Sequence, residues 1–166
     1  MIEKGGNFMQ KTNTIELVHF SEEYVDSLND FDLPDEQSQF TALPKEISIE
    51  MVGQYPIVIL SEHVPVGFFV LHATERVKEY TSNPNAMLLT ALSIDHKQQG
   101  NGYAKKGMLA LSEFIKKVFK ECNEVVLVVN HKNIPAQNLY LKVGFVDNGE
   151  RRMGPIGEQI VMNLNF

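Results

Sequence analysis

The run Ala86-Met87-Leu88-Leu89-Thr90-Ala91-Leu92-Ser93-Ile94, with Gln99-Gly100-Asn101-Gly102-Tyr103-Ala104 after it, decides the fold. The first segment is almost wholly apolar, as a strand buried on both faces requires. From Tyr103 to Cys122 the rhythm changes. Ala104, Met108, Leu111, Ile115 and Val118 recur at spacings of three and four, and Lys105, Lys106, Lys116 and Lys117 take other faces. A glycine-rich turn therefore joins a buried strand to an amphipathic helix. A helix N-terminus presents unpaired N–H groups and about half a positive charge. Glycines let backbone approach an anion with no Cβ in the way. The junction is a candidate pyrophosphate cradle. Lys105 and Lys106 oppose the helix dipole at a cost of roughly a few tenths of a kcal/mol each, which a bound polyanion offsets. A Walker A loop is excluded, because no Gly-Lys-Ser/Thr follows. A dinucleotide fingerprint fits poorly, because Lys105 stands where its third Gly belongs. Alone, the turn also reads as a plain glycine-rich helix start.

Outward from this centre, the pattern predicts the order β-α-α-β-β-β-α-β-α-β-β. Thr14 to Phe20 alternates as a strand, and Ser21 reads as the N-cap of a helix reaching about Asp30. A second short helix is expected from about Pro44 to Val52. Tyr55 to Ser61 and Val66 to Thr74 read as a hairpin across a turn at Glu62-His63-Val64-Pro65. Asn123 to Asn130 is a further buried strand. A helix opens at Pro135 and stops at Gly144, and Phe145 to Arg152 and Gln159 to Phe166 close the chain as two strands.

With 166 residues and 43% hydrophobic content, the chain has room for one substantial core. Residues 1–11 read as a flexible tail and 12–166 as a single domain. The longest apolar run, Val125 to Val129, is too short to span a bilayer, and Met1 to Gly6 lacks a signal core. The expected compartment is cytoplasmic. The single cysteine, Cys122, excludes an intrachain disulfide and reads as inert. His19, His63, His96 and His131 share no metal-ligand spacing. The net charge of −6 argues against nucleic acid as a partner. That charge is concentrated. From Thr12 to Pro44 there are eight acids and no Lys or Arg, whereas Lys97 to Lys120 holds six lysines and one acid. One region is suited to attract a cation and the other an anion.

About 30 residues after the turn comes Asn133-Ile134-Pro135-Ala136-Gln137-Asn138-Leu139-Tyr140-Leu141-Lys142-Val143-Gly144-Phe145. Together the two segments resemble the GNAT family of N-acetyltransferases. That family's first motif, Gln/Arg-x-x-Gly-x-Gly/Ala, is matched by Gln99, Gly102 and Ala104. Its second, roughly Asn-x-x-Ala-x-x-x-Tyr-x-x-x-Gly-Phe, is matched by Asn133, Ala136, Tyr140, Gly144 and Phe145. The motifs cover residues 92–145, and the flanking element order agrees. One departure is His96, where many members carry Pro.

The resemblance implies an α/β (α+β) acyl-CoA N-acyltransferase fold, with a mixed, mostly antiparallel central sheet, helices on both faces and a splay between central strands. It implies acetyl-CoA as co-substrate and no metal. Leu92, Ser93 and Ile94 would lie beside the pantetheine arm. Gln99 belongs to the first motif, and the N–H groups of Gly100, Asn101, Gly102, Tyr103 and Ala104 would hold the pyrophosphate. Asn133 would bind the arm or tether its loop, and Tyr140 would donate a proton to the departing thiolate. The implied reaction is direct attack of a primary amine on the thioester in a ternary complex. Deprotonating a lysine-like amine at pH 7 costs about 4.6 kcal/mol, but an α-amine only about 1 kcal/mol, so the first needs a base more. Some members place a Glu on the central strand; here Met87 to Ile94 carries no acid, and Glu75 and His72 on the preceding strand are the candidates. In the family the N-terminal helices wall the acceptor site. Here they carry Asp32, Asp35 and Glu36, which points to a small cationic amine such as a polyamine or diamine. A peptide or protein amine, and a non-catalytic acyl-CoA-binding regulatory module, are the alternatives. Many members are homodimers, which adds a second copy as an expected partner.

Overall fold

The structure is a computed structural model that describes residues 14–48 and 51–166. The expected tail at 1–11 lies outside the described residues. Seven strands form one sheet: β1 (Ile15–His19), β2 (Gln54–Ser61), β3 (Val64–His72), β4 (Ala86–Ile94), β5 (Glu124–Asn130), β6 (Val146–Gly154) and β7 (Gly157–Asn165). Their order is β1-β2-β3-β4-β5-β7-β6, and every neighbouring pair is antiparallel except β4 with β5. Among the described residues four α-helices accompany them: α1 (Val25–Asn29), α2 (Asp35–Ser38), α3 (Tyr103–Val118) and α4 (Ile134–Lys142). The mixed α/β architecture is the expected one.

Strand alternation divides the core between the two faces of the sheet. On one face Met108, Leu111 and Ile115 of α3 pack on Ile57, Phe69, Leu71, Met87 and Leu89, and Tyr140 of α4 joins the same cluster. Burying each such apolar side chain contributes about 1.5–3 kcal/mol. Val118, assigned from its spacing to the stripe, lies outside the cluster and is 40% exposed. On the other face Leu28 and Phe31 cover Val58, Phe68 and Val70, while Val77 and Tyr80 cover Leu88 and Val126.

Several local expectations are corrected. The helix from Ser21 is a 3₁₀ turn, Glu22–Tyr24, leading into the short α1, and the Ser21 hydroxyl donates to the Glu23 carboxylate (3.2 Å) and caps no backbone. The helix from Pro44 to Val52 is one 3₁₀ turn, Pro44–Glu46, ended by extended backbone at Ile47. The hairpin turn is only Glu62-His63, both at positive φ, so β3 starts at Val64. The long helix stops at Val118, not Cys122. Helix α2 and a 3₁₀ turn, Glu75–Glu79, add to the expected elements.

The feature that positions the site is in β4. Opposite β3, Ser93 pairs with Phe68 and Thr90 with Val70, so Ala91 and Leu92 together face the single residue Phe69. This is a β-bulge, and Ala91 takes φ +58° to make it. On its other side β4 pairs with β5 only over Ala86–Leu88. Past Leu88 the parallel strands diverge, while β5 stays paired with β7 as far as Asn130. A fork therefore opens in mid-sheet beside the bulge.

His72 is buried with its Nε2 2.6 Å from the Thr90 hydroxyl, and burial, assisted by Arg76, lowers its pKa to about 4. Between pH 6.5 and 4 the unfolded chain then binds a proton at this site that the folded chain does not. Stability should fall as the pH drops through that window, by on the order of 3 kcal/mol from this group. Urea titrations of the wild type and His72→Gln at pH 7 and pH 5 check this: the variant should lose less stability on acidification, and equal slopes would contradict the assignment.

Candidate active site

The glycine turn begins where β4 ends. After a 3₁₀ turn, His96–Gln98, Gly100 and Gly102 take φ +83° and +75°, and Gly102 occupies the N-cap of α3. A Cβ added at either glycine would meet no atom within 4 Å, so left-handed backbone and not packing demands glycine there. No side chain caps α3. Its first-turn N–H groups and its dipole therefore face open space, as an anion site requires. Lys97, Lys105 and Lys106 surround the turn, and the Lys106 Nζ lies 5.9 Å from the centre of the Tyr103 ring. Asn101 donates from its amide to the Gln98 carbonyl (3.0 Å), tightening the loop.

The Gln99 side chain acts inside the protein. Its Nε2 donates to the Ile94 carbonyl (2.9 Å) and to the Gln37 amide oxygen (2.8 Å), and Gln37 returns a bond to the Gln99 oxygen (3.0 Å). Helix α2 is thereby joined to the glycine turn. Two further links run in parallel. The buried Asp95 carboxylate accepts the Asp32 N–H (3.1 Å), and His96 N–H donates to the Asp32 carbonyl (2.9 Å). The Thr41 hydroxyl donates to the Leu92 carbonyl (3.1 Å). The acidic N-terminal segment is thus bonded through three residues, Asp32, Gln37 and Thr41, to Leu92, Asp95, His96 and Gln99 of the central strand and the turn. No sequence signal marks Gln37 or Thr41, because these bonds join residues more than 50 positions apart.

Within the fork, Leu92 and Ile94 are partly buried against the α3-side cluster, while Ser93 is buried with its hydroxyl unpartnered among the described residues. Asn133 caps α4 by accepting the Ala136 N–H (3.3 Å). Tyr140, 8% exposed, packs edge-on against Phe145 with ring centres 5.5 Å apart. Burial raises its pKa above the usual value of about 10, so the phenol keeps its proton throughout the physiological range.

Of the two candidate bases, Glu75 is exposed in the 3₁₀ turn after β3 and paired with Lys78 (2.8 Å). His72 is buried and touches Thr90 at the fork. Asp32, Asp35 and Glu36 are exposed, on α2 and the loop before it. A cleft of about 180 Å³, lined by Phe20, Leu28, Asn29, Lys45, Ile47 and Phe68, opens on the face of the sheet that α1 covers. A larger hollow of about 310 Å³ lies at the far end of β4, by Tyr55, Met87 and Cys122, and touches none of the site residues. Burial raises the Cys122 pKa, and its Sγ donates to the Glu124 carbonyl (3.3 Å), in keeping with an inert thiol. Among the described residues there is no group of three or more His, Cys, Asp or Glu able to hold a metal, and no helix long and apolar enough to cross a membrane.

Known proteins resemble this chain in sequence and in fold. Residues 20–145 match the model of the acetyltransferase (GNAT) family. An uncharacterized N-acetyltransferase, YbbJ, from Bacillus subtilis (strain 168) is 45% identical over 156 residues, covering 92% of this chain and 98% of that one. A spermine/spermidine N(1)-acetyltransferase of the same organism is 32% identical over 95 residues, covering 57% of this chain and 61% of its own. Among solved structures, aminoglycoside acetyltransferase AAC(6')-Ib in complex with coenzyme A and kanamycin superposes with a TM-score of 0.72 at 17% identity, covering 92% and 95% of the two chains. The forked sheet, the uncapped helix at a glycine turn and the family match over three-quarters of the length lead to one conclusion: the chain belongs to the GNAT family of N-acetyltransferases.

Proposed function

We propose that this protein transfers the acetyl group of acetyl-CoA to the primary amine of a small cationic acceptor, by direct attack in a ternary complex. The observation that carries the proposal is the fork beside the β4 bulge, opening next to the glycine turn at the start of α3. In this reading the N–H groups of Gly100, Asn101, Gly102, Tyr103 and Ala104 bind the pyrophosphate. Leu92, Ser93 and Ile94 present strand backbone to the pantetheine arm, and a backbone N–H there stabilises the oxyanion. Tyr140, protonated and next to the fork, donates its phenolic proton to the leaving sulfur. Gln99 and Asn133 act indirectly, by fixing the turn and the start of α4.

The acceptor class rests on charge. Asp32, Asp35 and Glu36 are exposed on the segment bonded to the central strand, with no Lys or Arg between residues 12 and 44. Exposed carboxylates there attract a polycation. The relative that acts on spermine and spermidine favours the same class.

Thiol release from acetyl-CoA should be measured across spermidine, spermine, putrescine, kanamycin and a lysine-bearing peptide. The proposal expects turnover with polyamines or diamines, and Tyr140→Phe should lower kcat by on the order of 10²–10⁴-fold with little change in acetyl-CoA KM. Turnover only with the peptide would move the acceptor to the protein class. Binding of acetyl-CoA without turnover of any amine would leave a non-catalytic module.

The combined variant Asp32→Asn, Asp35→Asn, Glu36→Gln should raise the acceptor KM about 5- to 30-fold, the sum of three exposed charge contacts, with acetyl-CoA affinity intact. An unchanged acceptor KM would remove these acids from the site.

A further inference from the structure

We infer that Thr90 and His72 form a relay that takes the proton from the attacking nucleophile, on the sheet face opposite Tyr140. This rests on the transfer reading above and adds the group that reading lacks.

The placement follows from register. His72 pairs with Leu88, and Val70 with Thr90, so alternation puts Val70, His72, Leu88 and Thr90 on one face. Val70 lies in the cluster under α1, and Leu88 in the one under Val77 and Tyr80. The His72–Thr90 contact sits at the seam between them. Tyr140 belongs to the other face, with Met87 and Leu89. Thr90 is two residues past Leu88, the last β4 residue paired with β5, and directly precedes the bulge residue Ala91. Thr90 is only partly buried, whereas the His72 ring it touches is buried. A displacement at an acyl carbon brings its nucleophile and its leaving group to different sides of that carbon. One proton donor and one acceptor, on opposite faces of a forked sheet, meet that requirement.

The ring has a free lone pair to accept with, although the burial that lowers its pKa to about 4 makes it a weak base that holds the proton only in passing. A histidine's tautomer is ordinarily fixed by a hydrogen bond at its second nitrogen. Here Nδ1 is buried with no partner among the described residues, so nothing locks the proton pattern. With the proton on Nδ1, the Nε2 lone pair receives the Thr90 hydroxyl at 2.6 Å. His72 is neutral at pH 7 and adds no cation beside an incoming ammonium. Glu75, exposed and paired with Lys78, reaches no such position.

The step balances. An ammonium acceptor first releases one proton to solvent. As the amine nitrogen bonds the acyl carbon, its proton passes to Thr90 Oγ1 while the Thr90 proton passes to His72 Nε2. The carbon–sulfur bond breaks, and the sulfur takes the Tyr140 proton. His72 then returns its proton to solvent and Tyr140 regains one, so the net transfer is from nitrogen to sulfur. Water attacking in place of an amine would use the same relay.

The test compares the full-length wild type with Thr90→Val, Thr90→Ser, His72→Gln and the Thr90→Val/His72→Gln double variant. Two rates are read: spermidine acetylation and acceptor-free hydrolysis of acetyl-CoA. Thr90→Val and His72→Gln should each lower kcat on the order of 10²-fold, with acetyl-CoA KM within about twofold. The double variant should be no slower than the slower single one, because the two residues act as a unit. Thr90→Ser keeps the hydroxyl and should stay within about threefold of wild type. A purely structural contact would lower the melting temperature and leave kcat unchanged, and that result overturns the relay. Wild-type turnover judges the transfer reading by itself, and the ratio of variant to wild type judges the relay. A wild type that neither acetylates spermidine nor hydrolyses acetyl-CoA overturns both.

Discussion

Two parallel strands that share hydrogen bonds over only three residues, and then part, govern the rest of this molecule. Backbone N–H and C=O groups on a buried strand must find partners. Past Leu88 the side of β4 that faced β5 has lost its ladder, so that stretch needs bonds from elsewhere. Some come from within: Thr41 serves the Leu92 carbonyl and Gln99 that of Ile94. The remaining gap is a ready-made edge for an extended amide-bearing chain. The Ala91 bulge keeps the edge open by turning β4 away from a straight pairing, and its positive φ is backbone strain held where β3 and α3 pack against the strand.

The same divergence organises charge and chemistry. It ends at a turn whose glycines aim uncapped N–H groups outward, among Lys97, Lys105 and Lys106. Next to that turn, through the Gln37–Gln99 amide pair, stands α2 with its acids. Opposite potentials thus lie side by side, one suited to a polyphosphate and the other to a polycation, at separations where physiological salt screens each beyond about 8 Å. The three links made by Asp32, Gln37 and Thr41 tie the acidic segment to the central strand. The sheet itself separates the two proton-handling groups of the proposed reaction, Tyr140 on the α3 side and His72 with Thr90 on the other.

What the sequence makes legible follows from range. The apolar run of β4, the glycine turn and the stripe of α3 are local patterns with strong periodicity, and their positions agree with the structure. The Asn133 to Phe145 segment likewise carries its own cap, helix and stop. The N-terminal third reads poorly. Pro34-Asp35-Glu36-Gln37-Ser38 has no apolar rhythm, and a four-residue helix there owes its place to long-range bonds, not to propensity. The stretch after Pro44 carries a helix-start signal, yet Ile47 is drawn into extended backbone to pack beside Leu28 and Phe68. The bulge is invisible in sequence because it is a relation between β3 and β4. So is the His72–Thr90 contact: each residue alone is an ordinary strand residue, and only the pairing register brings them to 2.6 Å.

In the proposed reaction the fork and the turn form one coenzyme A site. Calorimetric titration of coenzyme A into the full chain, alongside Gly102→Val, examines this directly. One molecule should bind per chain with a dissociation constant below about 1 mM, and the variant, forced out of left-handed backbone at the cradle, should bind about tenfold or more weakly. No heat of binding at millimolar coenzyme A, or equal affinity in the variant, would contradict it.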